Sequence, residues 1–85
     1  MQITVKLFAT LRQQAGWSEQ QITLPDADSF SANVGALLEE IARQYPQMDL
    51  KDRPAYAAVN QNYADIDHPL QDGDVVALFP PVSGG

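Results

Sequence analysis

Only one stretch of this chain repeats its apolar residues every three to four positions: Val34, Leu37, Leu38, Ile41 and Tyr45. That spacing makes one face of a helix, whereas the remaining apolar segments alternate or run together as strands do. A lone helix can bury its stripe only against a sheet, so the chain is expected to fold as an α+β layer pair. Eighty-five residues suffice for one such core and not for two. Cysteine is absent, which removes disulfides and thiolate metal sites and leaves packing to hold the fold.

The strands can be placed around that helix. Gln2 to Thr10 alternates, with Ile3, Val5 and Leu7 on one face and Thr4, Lys6 and Phe8 on the other. Leu11 to Glu19 reads as a connection, and Gln20 to Leu24 as a second strand that ends at Pro25 and pairs with the first as a hairpin. Asn33 is the best N-cap for the helix, with Ser31 second, and Pro46 marks its stop. Gly35 costs that helix about 1 kcal/mol relative to alanine, so packing must compensate. A short turn of helix is expected around Leu50, then short strands at Tyr56–Val59 and Asn62–Ala64 about an Asn60-Gln61 turn. Val75–Phe79 is the most apolar run and reads as a central strand, closed by Pro80-Pro81. Strand, strand, helix and three more strands, with the last beside the first, is the ubiquitin-like β-grasp arrangement. It has a mixed five-stranded sheet packed on one main helix, in a domain at residues 1–80 with a flexible tail at 81–85.

Charge and patterning exclude several function classes. A net charge of −6 repels nucleic-acid phosphates and anionic lipid surfaces. The N-terminus lacks the basic region and apolar run of a signal peptide, and no stretch approaches the roughly 18 apolar residues of a membrane span. A cytoplasmic protein is the simplest expectation. A deep catalytic pocket would compete with the core for the same few apolar residues.

The chemistry is expected at the end of the chain, Pro81-Val82-Ser83-Gly84-Gly85. Two glycines, having no Cβ, can thread a channel too narrow for side chains and bring a terminal carboxylate into another protein. A carboxylate is a poor electrophile, so it must be activated, most simply by adenylation with ATP. Attack by a sulfur donor then leaves a thiocarboxylate, a carried nucleophile. A frayed end without a role has the same composition.

The run Ala57-Ala58-Val59-Asn60-Gln61, then Asp67-His68-Pro69-Leu70, then Asp72 through Gly85, resembles the small subunit of molybdopterin synthase. Ile3 to Gly16, with Phe8-Ala9 and Leu11-Arg12, is similar as well, and the helix fits more loosely. The resemblance implies a β-grasp sulfur carrier, with no cofactor bound, whose Gly85 is adenylated by an activating enzyme like ubiquitin's and converted to a thiocarboxylate by a sulfur donor protein. The tail of Gly84, Ser83, Val82 and Pro81 would lead Gly85 into the large synthase subunit, within a heterotetramer. There sulfur passes to cyclic pyranopterin monophosphate, and the proton-transfer residues lie on the large subunit, so this chain is a non-catalytic subunit. Ser83 stands where threonine is common, and Gly35 where an acid often opens the helix. The alternatives are a ubiquitin-like modifier joined through Gly85 to lysines, a carrier for thiamine, cysteine or transfer-RNA thiolation, and a plain interaction module.

Phe8 and Phe79 point away from the core on neighbouring strands and, with Tyr63, form an expected apolar partner patch; a one-residue shift of phase would bury both phenylalanines instead. The resemblance favours the patch. His68 before Pro69 reads as a turn residue, and Asp65, Asp67, Asp72 and Asp74 lack calcium-loop spacing, so no metal site is indicated. Trp17 reads as a lid over the core, and Glu39 and Glu40 as the solvent side of the helix.

Overall fold

The computed structural model describes residues 1–24, 32–48 and 56–80. Ser31, the turn expected around Leu50, and the tail residues Pro81, Val82, Ser83, Gly84 and Gly85 lie outside the described residues. The elements in chain order are β1 (Gln2–Leu7), α1 (Thr10–Ala15), β2 (Glu19–Thr23), α2 (Val34–Gln44), β3 (Tyr56–Val59), β4 (Asn62–Ala64) and β5 (Val75–Phe79). They build one sheet in the order β2-β1-β5-β3-β4. β1 and β5 run parallel, with Val5 beside Val76 and Leu7 beside Leu78, while the other pairs are antiparallel. This is the mixed β-grasp sheet that the element order predicts.

Alternation decides which side of the sheet is core. Ile3, Val5, Leu7, Ile22, Ala57, Val59, Val76 and Leu78 face inward and are buried, and α2 lays Val34, Leu37 and Ile41 over them. Trp17 tilts on Tyr45 with ring centroids 5.3 Å apart, and both pack partly buried against this core, the lid position expected for Trp17. No helix among the described residues is long and apolar enough to cross a membrane.

The first strand is shorter than its alternation suggests. β1 ends at Leu7, not Thr10, and the chain reverses through Ala9 (φ 54°, ψ −129°), where the Leu11 N–H donates to the Phe8 carbonyl at 3.2 Å. The segment that reads as a connection in the sequence forms α1, which buries Leu11 and stops at Gly16, whose φ of 85° suits a residue without Cβ. Six residues carry too few turns for a stripe to show in the sequence.

At α2 the Asn33 side chain accepts from the Ala36 N–H at 2.8 Å, the expected cap, and Pro46 follows the last turn. Gly35 has a packing reason. Its N–H donates to the Ile66 carbonyl at 2.7 Å, and a Cβ there would stand 3.2 Å from that same oxygen. Gly35→Ala should therefore destabilise the fold by about 1 kcal/mol in urea titration, because crowding of a held carbonyl outweighs the gain in helix propensity. A gain in stability would show that the Ile66 turn yields freely.

The start of β5 is tied to the β3–β4 hairpin by Asn60. Its Oδ1 accepts from the Val75 N–H at 3.1 Å and its Nδ2 donates to Asp74 Oδ1 at 3.0 Å. Asn60 and Gln61 both take positive φ, 49° and 74°, as a two-residue hairpin turn requires.

Candidate docking face and carrier tail

The side of the sheet opposite α2 is built from the residues that alternation leaves over. Register places Tyr56 beside Phe79 and Ala58 between Ala77 and Tyr63, while Lys6 lies beside Ala77. The two alanines face each other as a low floor. Larger side chains around them enclose a hollow of about 620 Å³ that Lys6, Phe8, Tyr63 and Phe79 help to line.

Phe8, Tyr63 and Phe79, the residues expected to form a patch, are therefore brought to one face. The sequence places Phe8 within the first strand, but the strand ends at Leu7; Phe8 follows it, and the turn at Ala9 leaves its ring on the outer side. There it stacks on Phe79 with centroids 4.9 Å apart and planes 11° from parallel. Such stacking contributes about 0.5–1.5 kcal/mol beyond burial and fixes both rings before any partner arrives. Tyr56 completes the face and was not singled out from the sequence. The signal was present: with Ala57 and Val59 as the inward pair, Tyr56 and Ala58 must point out.

Lys6 is a cation at the hollow of a chain with net charge −6. On α2, on the other side of the sheet, the Glu40 carboxyl is held below its ordinary range by hydrogen bonds from Arg43 and then Gln44, and Arg43 is raised in turn. That cluster, with Arg43 exposed and Glu40 half-buried, closes the helix and takes no part in the face.

The acidic turn residues shape the backbone. Asp72 Oδ1 accepts from the Gln2 N–H at 2.7 Å, and Asp74 Oδ2 from the Gln71 N–H at 2.8 Å. His68 is exposed, with its N–H donating to Asp65 and its carbonyl accepting from Val34. Among the described residues, no three His, Cys, Asp or Glu side chains group as metal ligands would. β5 delivers the chain to this face at Phe79, and Pro80 begins the run that leads to Gly85.

The model of the ThiS family matches residues 5–85. A protein of Escherichia coli named molybdopterin synthase sulfur carrier subunit is 41% identical over 98% of this chain and 99% of its own. One of the same name from Chlamydomonas reinhardtii is 39% identical over the whole of both. A Haloferax volcanii protein named small archaeal modifier protein 3 is 29% identical, also over both whole chains. Among solved structures, a Pyrococcus furiosus protein titled putative molybdopterin converting factor, subunit 1, superposes with a TM-score of 0.80 at 37% identity, covering 96% of this chain and 99% of that one. A chain of a Helicobacter pylori structure titled protein–protein complex of subunit 1 and 2 of molybdopterin-converting factor superposes with a TM-score of 0.63 at 26% identity over both whole chains. With its family match running from β1 to Gly85, the chain belongs to the ThiS family and groups there with the molybdopterin synthase sulfur carrier subunits.

Proposed function

We propose that this chain is the sulfur-carrying small subunit of a molybdopterin synthase and acts through the carboxylate of Gly85. The observation that carries the reading is a family match that includes Gly84-Gly85 together with whole-length relatives of that name. An activating enzyme joins the Gly85 carboxylate to the α-phosphate of ATP, releasing pyrophosphate. Sulfur released by a donor protein as hydrosulfide then displaces AMP and leaves the thiocarboxylate. In the large subunit this sulfur attacks a side-chain carbon of cyclic pyranopterin monophosphate, the carbon–oxygen bond there breaks as the carbon–sulfur bond forms, and hydrolysis of the resulting thioester leaves the sulfur on the pterin and returns the Gly85 carboxylate. ATP is consumed by the activating enzyme, so this chain needs no cofactor of its own, and a cytoplasmic setting suits these partners.

The outer face supplies the docking energy. Phe8 and Phe79, stacked beside the root of the tail, offer a rigid aromatic anchor, and the Ala58–Ala77 floor leaves room for a partner side chain. The Helicobacter pylori complex supports a large subunit as that partner. Phe79→Ala should weaken binding of the large subunit by at least about 2 kcal/mol, roughly 30-fold in Kd by calorimetry. Unchanged affinity would remove the face from the docking account.

A second reading, a modifier joined through Gly85 to protein lysines, is favoured by the similarity to the Haloferax volcanii protein. Reconstitution separates the two. Chain, activating enzyme, ATP, sulfur donor and large subunit are combined with the pterin substrate. Dithiolene formation that depends on Gly85 supports the carrier; adducts on lysines without dithiolene support the modifier.

A further inference from the structure

The largest exposed apolar side chains among the described residues extend from the Phe8–Phe79 stack towards β4. Phe8 is 41% exposed, whereas Tyr56 is 53%, Ile66 66% and Tyr63 85% exposed. These three gather at the β4 end of the sheet. Two adjoining grooves, about 480 and 470 Å³, lie where the start of β3 meets the end of β4 and share Tyr56, Ala57, Ala64 and Asp65; Ile66 and Asp67 line the second. β4 is the last strand of the order, so among the described residues nothing pairs with the outer side of its backbone ladder.

Ile66 is held outward by a fixed turn. Its carbonyl accepts from the Gly35 N–H at 2.7 Å, and the carbonyl of Asp65 accepts from the His68 N–H at 3.0 Å. An isoleucine exposed on so constrained a backbone has little main-chain entropy left to lose on contact, which lowers the cost of using it as an anchor. Asp65 and Asp67 flank it, both exposed.

We propose that the β4 edge is a second docking surface, which takes a short extended segment of a partner protein bearing an apolar side chain next to lysine or arginine. The open ladder accepts an added strand, the tyrosines and Ile66 receive the apolar residue, and the two carboxylates select the positive charge. A second copy of this chain fits poorly, because Asp65 and Asp67 would approach acidic counterparts on a molecule of net charge −6. Tyr63 lines both this groove and the outer hollow, so one partner can span the two or two partners can share the chain.

The inference rests on the carrier reading only in the choice of probes: the large synthase subunit and the activating adenylyltransferase. Both are titrated calorimetrically, at low and physiological salt, with the full chain, with Ile66→Ala, with Asp65→Lys/Asp67→Lys, and with Phe79→Ala as a comparison at the aromatic stack. Exposure of all three β4-edge positions keeps the variants folded, which circular dichroism checks. For at least one probe, the charge reversal should weaken binding about tenfold at low salt and flatten its salt dependence, and Ile66→Ala should weaken it about tenfold with the salt dependence kept. Binding of both probes within about twofold of the unaltered chain overturns the second surface, while loss with Phe79→Ala alone leaves the proposed function standing. Absence of binding by the unaltered chain overturns both. Dimerisation that Ile66→Ala abolishes overturns it in favour of a second copy.

Discussion

A chain lacking Gly84 and Gly85 will deliver no sulfur above background, and its thermal midpoint will match that of the full chain. Each residue of an extended chain reaches about 3.5 Å, so the truncated carboxylate stops roughly 7 Å short of its former position. Reacting atoms must come within about 3–3.5 Å, and no adjustment of the partner recovers such a gap. Residue type adds to the effect, because the new terminus would be Ser83, whose side chain must enter the space that glycine left clear. Stability is expected to be unchanged because the buried core among the described residues lies between Ile3 and Leu78. Binding of the large subunit is largely kept, since Phe8, Tyr56, Tyr63 and Phe79 are untouched. Appending one residue after Gly85 should silence the chain as completely, by carrying the carboxylate past the reaction centre. Sulfur transfer by either altered chain would mean that the terminal carboxylate is not the reacting group.

The largest expected loss of stability comes from Leu37→Ala. Leu37 is fully buried midway along α2, between Val34 and Ile41, and that stripe is what the main helix sets against the sheet. Removing a buried leucine side chain costs about 2–5 kcal/mol through lost transfer energy and the cavity left behind. A domain of this size holds only about 5–10 kcal/mol in total, so the midpoint of thermal unfolding should fall by roughly 10–25 °C. The contrast with Phe79→Ala separates fold from function: one variant melts early and binds at low temperature, the other stays folded and docks badly. A fall of less than about 1 kcal/mol for Leu37→Ala would mean that α2 contributes little to the core.

Much of this was legible from residue order alone, for reasons that differ by element. The stripe of α2 is eleven residues long and period 3.6 has no competitor there, so the helix, its Asn33 cap and its end before Pro46 could all be read. Strand phase was equally plain where one face is fully buried, as for Ile3, Val5 and Leu7. Short elements were not. α1 turns on the buried Leu11, and the reversal at Ala9 is a backbone choice with no residue signature, since glycine would be the usual occupant. Phe8 consequently reached the predicted face by another route, as the residue after a strand that stops early. Tyr56 was overlooked because its outward direction depends on the register that sets it beside Phe79. Gly35 looked like a weakness until the Ile66 carbonyl was seen against it, a contact between positions thirty-one residues apart in the chain. The tail is the reverse case: its chemistry is written in residue type, and its conformation lies outside the described residues.

The carrier account is tested most directly by weighing the intact chain after incubation with the activating enzyme, ATP and the sulfur donor, then locating any change by fragmentation. It predicts replacement of one oxygen by sulfur, confined to Gly85 and dependent on ATP. A chain of unaltered mass, or sulfur found at any residue other than Gly85, would contradict it.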